Sequence, residues 1–251
     1  MARPRRIAIP VALIAMVTGC SVNPSGHREE LLVFAAASLR DAIGQIEATF
    51  EVEYPEFDVL VNLASSSSLR EQILEGAPAD VFASANTANM DQVMEAGGVV
   101  GVPTIFVRNL LQVAVPAGNP AGITGLADFA NPNLLIGLCA EEVPCGSFGR
   151  QALANAAVSA SIDTNEPDVR ALLTKIEAGE LDGGIVYVTD VLAAGGGVEG
   201  IDIPEDLNVV AEYPIVALRG GTNPEAAAAF VAFVISAPGK AVFADFGFQS
   251  P

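Results

Sequence analysis

The chain has 251 residues, of which 51% are hydrophobic and 17% are charged, so it can bury a core and is not a disordered acidic chain. Twelve Lys and Arg residues stand against thirty Asp and Glu residues, and the formal net charge is −18 at pH 7. Nucleic-acid-binding proteins carry a cationic surface, so this balance excludes that function class. The length allows one large domain or two lobes of modest size.

Residues 1–19 are typical of a secretory signal peptide. Three arginines precede an apolar run that ends at Val17, and this run is too short to span a bilayer as a mature helix. Residues 17–20 are similar to the bacterial lipobox, whose cysteine is lipidated and becomes the new N-terminus; ordinary cleavage that leaves Cys20 unmodified is the alternative. We therefore expect an extracytoplasmic protein, anchored to the cell membrane by lipid on Cys20, with residues 20–29 as a polar tether.

Short apolar strands alternate with segments of helical periodicity from residue 31 onward. Strands are predicted at residues 31–36, 57–63, 81–84, 110–115, 134–139, 184–188 and 213–218. Helices are predicted at residues 39–54, 69–76, 88–96, 149–160, 169–178 and 224–236, and the chain is expected to close at residues 237–239. The alternation predicts the α/β class, with a mixed, mostly parallel sheet flanked by helices.

The order of these elements predicts two α/β lobes. Residues 30–108 together with residues 212–251 are expected to form lobe 1, and residues 109–211 are expected to form lobe 2. Two or three strands would cross between the lobes near residues 105–115 and 207–217. A cleft between two lobes is the default place for a ligand.

Histidine and cysteine usage narrows the chemistry. The single histidine, His27, lies in the tether, so the predicted lobes lack the residue required by Ser-His-Asp or Cys-His catalysis and by His-ligated metal sites. Cys139 and Cys145 are an even pair in an oxidising compartment, and we expect a disulfide between them; two buried free thiols are the alternative. The many carboxylates are interpreted as a solvated surface.

Small hydrogen-bond donors follow two of the predicted strands in lobe 1. Ser38 stands three residues before Asp41, a spacing that predicts a helix N-cap, and the start of a helix also suits an anion. Four serines occupy residues 65–68, where Ser68 is the favoured cap. Any of the three serines before it could then point a hydroxyl group into a cleft, and spacing does not choose among them.

Lobe 2 offers two further helix starts and one phenol. Residues 143–147 and 166–170 could each present backbone N–H groups, although ordinary loops have the same composition. Tyr187 ends an apolar strand and offers a hydroxyl donor; the alternative is a tyrosine at the edge of the core.

Taken together and in order, these segments resemble the molybdate-binding proteins of bacterial ABC importers, which belong to the two-lobed periplasmic binding protein superfamily. The resemblance covers nearly the whole predicted mature chain, and its ordered set of motifs is specific although each motif alone is weak. The motifs are FAAASL at residues 34–39, ASSSSL at 64–69, GAPADVF at 76–82, SA at 84–85, VPCG at 143–146, DVR at 168–170, GIVY at 184–187 and YPI at 213–215.

The resemblance implies a site for a tetrahedral oxyanion, molybdate or tungstate. It places two serine hydroxyls of lobe 1 at Ser38 and Ser66, two backbone amides of lobe 2 at Cys145 and Val169, and a phenolic hydroxyl at Tyr187. Many relatives carry Ala at the Cys145 position, but the expected donor there is the main-chain N–H group. The resemblance implies neither coordination of a metal ion by side chains nor a cofactor.

The implied function is that of a monomeric receptor, not an enzyme, that delivers the oxyanion to an ABC transporter permease. A dianion with acceptor oxygens only is matched by neutral donors, which avoid the cost of burying a cation. Receptors for another tetrahedral oxyanion such as sulfate are the nearest alternative. An extracytoplasmic carboxylate-dependent hydrolase and a lipoprotein that scaffolds or senses are less favoured, since no spacing of carboxylates recommends a catalytic pair.

Overall fold

The structure is a computed structural model that describes residues 28–251. The predicted signal peptide, the lipidation site Cys20 and residues 20–27 of the tether, with His27, lie outside the described residues. The strands are β1 Glu29–Ala36, β2 Phe57–Ala64, β3 Val81–Ala83, β4 Val99–Pro116, β5 Ile136–Cys139, β6 Thr164–Glu166, β7 Gly183–Tyr187, β8 Val198–Asp202 and β9 Val210–Leu218. The helices are α1 Arg40–Glu53, α2 Ser66–Leu74, α3 Thr87–Glu95, α4 Pro144–Asn155, α5 Val169–Glu177, α6 Val188–Ala193, α7 Pro224–Ile235 and α8 Ala237–Asp245, with 3-10 turns at Ala37–Leu39 and Leu126–Ala130.

The strands pair in the order β2-β1-β3-β9-β4-β7-β5-β6, and β8 pairs with β4. Strand β1 lies parallel to β2 and β3, and β5 lies parallel to β6 and β7. All pairings that involve β4 or β9 are antiparallel. The α/β class with a mixed sheet is therefore confirmed, and the parallel pairings lie in the two outer parts of the sheet.

Strands β4 and β9 join the two lobes. The first part of β4, from Val99 to Leu110, pairs with β9, which pairs in turn with β3. The last part of β4, from Leu111 to Pro116, pairs with β7 and β8. Lobe 1 thus holds β1–β3 and lobe 2 holds β5–β8, while the lobe boundaries at residues 108/109 and 211/212 stay a prediction.

Each of the six parallel strands is followed by a helix. Strands β1, β2 and β3 lead into α1, α2 and α3, and strands β5, β6 and β7 lead into α4, α5 and α6. In open α/β sheets, ligands bind outside the carboxyl ends of the strands, where these helices begin. The topology therefore directs attention to six short strand-to-helix connections, three in each lobe.

Buried aromatic side chains attach α7 and α8 to lobe 1. Phe230 and Phe233 of α7 contact Phe50 of α1, with ring centroids 5.1 and 5.7 Å apart, and Phe243 of α8 lies 5.0 Å from Phe106 of β4. Within residues 28–251, no single helix has the length and apolar character to cross a membrane; α7 and α8 reach that length and composition only when taken together, and the chain bends by 62° between them.

Several element boundaries differ from the predictions for local reasons. Helices α2 and α4 begin three and five residues earlier than predicted, at Ser66 and Pro144, because the small and polar residues of their first turns add nothing to an apolar period. Strand β4 begins at Val99 rather than residue 110. Strands β6 and β8 and helix α6 were not predicted, since they are short.

The expected end of regular structure at residues 237–239 was wrong, because this segment is the first turn of α8. Ser236 caps that helix by accepting the backbone N–H of Gly239 at 3.2 Å. Proline is well tolerated in the first turn of a helix, where its missing N–H group has no acceptor. A Pro-Gly pair after a cap residue therefore indicates a new helix here rather than a stop.

Candidate functional site

The six strand-to-helix connections meet at one small cavity between the lobes. Its lining residues are Ala36, Ala37, Ser38, Ser65, Ser66 and Ala85 from lobe 1 and Val143, Pro144, Cys145, Asp168, Val169 and Tyr187 from lobe 2. The centre of a water-sized sphere can move through a volume of about 10 Å³ inside this cavity. Adding the radius of water gives space for one compact group of roughly 2.7 Å radius, which suits a small inorganic ion better than a sugar or an amino acid.

The structure brings all five residues of the expected ligand set to this cavity. Ser38 and Ser66 lie on one side, and Cys145, Val169 and Tyr187 lie on the other. None of the five is more than 6% exposed. Their contacts with a ligand stay a prediction, but all five residues line the same cavity.

Helix starts dominate the wall. The 3-10 turn before α1, and helices α2, α4 and α5, all begin with residues that line the cavity. The first N–H groups of a helix have no acceptor within the helix, and the helix dipole is positive there. Since the lining residues of the described chain include neither Lys nor Arg, attraction for an anion rests on these neutral groups.

The cap of α5 determines which of its amides is free. The Oδ1 atom of Asp168 accepts the backbone N–H groups of Arg170 and Ala171 at 2.8 and 3.0 Å. The N–H group of Val169 is thereby the amide of this turn that Asp168 leaves available. This arrangement supports the backbone donor expected at Val169, and it occupies the carboxylate oxygen with two donors.

The serine run is arranged differently from the prediction. Ser65 is the N-cap of α2 and accepts the N–H of Ser68 at 3.3 Å, so the prediction that Ser68 is the cap was wrong. Ser66 Oγ accepts the backbone N–H of Ala85 at 2.9 Å, which leaves its own proton to donate. Ser67 Oγ instead lies 3.2 Å from Ser65 Oγ. Among the three serines left open by the sequence, Ser66 has the geometry of a ligand donor.

The N-cap predicted at Ser38 was also wrong. The residues that begin the 3-10 turn and α1 are Ala36 and Leu39, and neither makes a side-chain cap hydrogen bond. Ser38 lies within the 3-10 turn, with its Oγ 2.9 Å from the Oη of Tyr213 on β9. Burial raises the pKa of Tyr213, so its hydroxyl stays protonated and can donate to Ser38, which frees the serine proton for a ligand.

Tyr187 presents a buried hydroxyl without a partner. The side chain is 1% exposed, and its Oη makes no hydrogen bond to any described residue. Burial, together with the neighbouring Tyr213 and Asp190, raises its pKa well above the usual value, so the group is a donor. A buried hydroxyl that lacks a partner has lost hydration without compensation, and an acceptor in the cavity would remove that cost.

An arginine lies between two carboxylates beside the cavity. Arg170 forms an ion pair with Asp41 of α1, and its Nε atom is 3.6 Å from Oδ1 of Asp190. The other oxygen of Asp190 accepts the backbone N–H of Tyr187 at 3.1 Å. Burial raises the pKa of Asp190 to about 7, although the charge of Arg170 acts in the opposite direction.

Sequence reasoning missed two features of the site. The contact of Tyr213 with Ser38 joins residues 175 positions apart, and the contact of Arg170 with Asp41 spans 129 positions. Neither pair has a local spacing that could reveal it. Segments around Tyr213 and Arg170 do appear in the resemblance, which was the one signal that pointed to them.

A disulfide joins Cys139, at the end of β5, to Cys145, in the first turn of α4. Arg150 closes the same loop by donating to the carbonyl oxygens of Cys139 and Gly146 at 2.8 and 3.0 Å. A Cβ atom on Gly146 would overlap the carbonyl oxygen of Ala140, so this tight return requires glycine. The loop therefore holds the Cys145 amide against the cavity from both of its ends.

Comparison with known proteins agrees with this architecture. The family model described as "Bacterial extracellular solute-binding protein" matches residues 31–249. The molybdate-binding protein ModA of Mycobacterium tuberculosis is 36% identical, over 97% of this chain and 96% of that protein.

Solved structures show the same fold. The substrate-binding domain of a putative molybdenum ABC transporter from Clostridium difficile is 26% identical with a TM-score of 0.66, and the match covers 88% of this chain and 99% of that one. The sulfate-binding protein SubI from Mycobacterium tuberculosis is 17% identical with a TM-score of 0.80, over 89% of this chain and 87% of that one, which shows likeness of fold alone. The family match spans the elements that build the cavity, and the chain belongs to the bacterial extracellular solute-binding protein family.

Proposed function

We propose that this chain is an extracytoplasmic receptor that binds molybdate, with tungstate as a second ligand, and delivers it to the permease of an ABC transporter. The observation that carries the proposal is the cavity, whose wall combines hydroxyl groups and helix-start amides from both lobes. Relatives that are named for molybdate or molybdenum support the choice of ligand. The proposed role is binding, with no catalytic step.

The donor set fits the chemistry of a tetrahedral dianion. Molybdate carries acceptor oxygens only, and hydrogen bonds to a charged acceptor are about twice as strong as neutral ones. Neutral donors provide these bonds without the desolvation cost of a buried cation. Sulfate is the competing ligand because it has the same shape and charge, and the longer metal–oxygen bonds of molybdate make cavity size the basis for discrimination.

Division of the donors between the lobes gives a mechanism of capture. Ser38 and Ser66 belong to lobe 1, whereas Cys145, Val169 and Tyr187 belong to lobe 2. The full set of hydrogen bonds exists only when the lobes are closed, so the ligand stabilises the closed state. The permease can then distinguish loaded from empty receptor by its shape.

Membrane attachment and a monomeric state form part of the proposal. The lipobox at residues 17–20 supports a lipid on Cys20, which would hold the receptor near its permease. Palmitate labelling of the wild type and of a Cys20→Ala variant tests this attachment. Label in both proteins, or in neither, would contradict it.

Titration calorimetry on the mature protein tests the ligand. We expect tight binding of molybdate and tungstate and weak or no binding of sulfate and phosphate. Ser38→Ala combined with Tyr187→Phe should weaken molybdate binding by about 2 to 5 kcal/mol, since each hydrogen bond to a charged group contributes roughly 1.5 to 3 kcal/mol. A loss below about 1 kcal/mol would place the site elsewhere, and preference for sulfate would favour the alternative receptor.

A further inference from the structure

Arg170 connects the two lobes from a position next to the cavity. It stands in the first turn of α5 in lobe 2, and its side chain is 17% exposed. Its partner Asp41 stands in the first turn of α1 in lobe 1. Among the ion pairs within residues 28–251, this is the one that links lobe 1 with lobe 2.

The charges around Arg170 are tied to the segments that carry the expected ligand donors. Arg170 directly follows Val169, and Asp41 stands three residues after Ser38. Asp190 accepts the backbone N–H of Tyr187. Val169 and Tyr187 are therefore connected to this group of three ionisable side chains through one peptide bond or one hydrogen bond, and Ser38 lies within one helical turn of Asp41.

The contact between Arg170 and Asp41 can form only when the lobes are together, because the two residues belong to different lobes. Arg170 Nε and Asp190 Oδ1 are both buried without a hydrogen-bond partner in the described chain, and their separation of 3.6 Å allows attraction. A largely buried charge needs compensation, which Asp41 supplies from the opposite lobe. Opening would separate Arg170 from Asp41, so the contact adds its free energy to the closed state alone.

We propose that Arg170 is a positioning residue for ligand capture, which holds the closed state through its cross-lobe ion pair with Asp41, in a triad that Asp190 completes from within lobe 2. The triad does not line the cavity. It raises affinity because the apparent dissociation constant depends on the fraction of closed, binding-competent protein. This inference rests on the proposed function, since it concerns the same cavity.

A double-mutant cycle tests the triad. Calorimetry with molybdate compares wild type, Arg170→Gln, Asp41→Asn and the double variant. We expect each single change to raise Kd roughly 5- to 50-fold. The double variant should bind about as well as the single variant with the higher Kd, because both changes remove the same contact. Arg28→Gln is the matched control: Arg28, just before β1, pairs with Glu51 near the end of α1 at 2.8 Å, away from the cavity and from the strands that join the lobes, and its loss should leave Kd within about twofold.

Two further measurements separate closure from general stability. Dissociation of molybdate should be faster in Arg170→Gln by a factor similar to the change in Kd, while the unfolding temperature without ligand stays close to that of the control. Unchanged Kd, additive losses in the cycle, or a ligand-free stability loss that matches the affinity loss would each overturn the inference alone. Wild-type protein that binds neither molybdate nor tungstate would overturn the proposed function and this inference with it.

Discussion

Tyr187→Phe separates ligand binding from folding more cleanly than any other change at the cavity. The substitution removes one oxygen atom and leaves the aromatic ring, which contacts the ring of Tyr213 with centroids 6.2 Å apart. The Oη atom has no hydrogen-bond partner among the described residues. The variant therefore loses no internal hydrogen bond, and its effects should come from the ligand and from hydration.

The two effects have opposite directions. A hydrogen bond to a charged acceptor contributes roughly 1.5 to 3 kcal/mol, so loss of the Tyr187 donor should weaken molybdate binding roughly 10- to 150-fold. A buried polar group without a partner costs about 1 to 3 kcal/mol, and phenylalanine does not incur that cost. We therefore expect the free energy of unfolding of the ligand-free protein not to decrease. It increases if the hydroxyl is dry in the ligand-free protein, and it stays constant if the lobes open and water hydrates the hydroxyl.

Calorimetry measures the affinity, and urea denaturation without ligand measures the free energy of unfolding. Tyr54→Phe is the matched control, because Tyr54 stacks on Phe50 at 4.6 Å and does not line the cavity; its affinity for molybdate should not change. Equal affinity in Tyr187→Phe and wild type would show that this hydroxyl does not contact the ligand. A stability loss as large as the affinity loss would show that the hydroxyl has a protein partner.

Three further predictions concern other parts of the wall. Ser66→Ala should weaken molybdate binding roughly 10- to 150-fold. Ser67 is outside the cavity lining, so Ser67→Ala should change the affinity less than about twofold. Similar losses of affinity in the two variants, measured by calorimetry, would contradict the geometry. Reduction of the Cys139–Cys145 disulfide should lower the free energy of unfolding by about 2 kcal/mol, because the bond closes a short loop. It should also weaken molybdate binding. An unchanged Kd in the presence of reductant would show that α4 holds the Cys145 amide without the disulfide. Burial raises the pKa of Asp190 to about 7, so the folded form binds this proton more tightly than the unfolded form. Stability relative to Asp190→Asn should therefore fall as the pH rises from about 4 to about 7, by on the order of 4 kcal/mol or less. Parallel pH profiles of the two proteins would contradict that pKa.

Local patterns were sufficient for most of the elements that present the site, with β6 and α6 as the exceptions. Five of the six parallel strands are short, mostly apolar runs, so Ser38 after β1 and Tyr187 at the end of β7 could be selected from the sequence; β6, with the sequence Thr-Asn-Glu, has no such pattern. The helix starts at Pro144 and Val169 carry a proline or a capping aspartate nearby, which are also local signals. What the sequence could not provide was the distance between these segments, because that depends on β4 and β9.

The capping errors have a tertiary origin. Ser38 has the spacing of an N-cap, but a 3-10 turn precedes α1 and the hydroxyl is turned to Tyr213 on a distant strand. In the serine run, every residue has the chemistry of a cap. The choice of Ser65 as cap, with Ser66 bonded to the N–H of Ala85, depends on where β2 and β3 end on either side of β1, and no spacing within the run encodes that.

A strongly acidic chain can hold a dianion because the cavity wall offers donors and very few acceptors. The nearby cation, Arg170, is paired with Asp41 and lies beside Asp190, so little of its positive charge is available to attract anions indiscriminately. Asp168 is the one acid on the wall within the described chain, and its Oδ1 already accepts two backbone N–H groups. An anion that carries a proton, as phosphate does at neutral pH, would bury that donor opposite other donors. Fully deprotonated oxyanions avoid this cost.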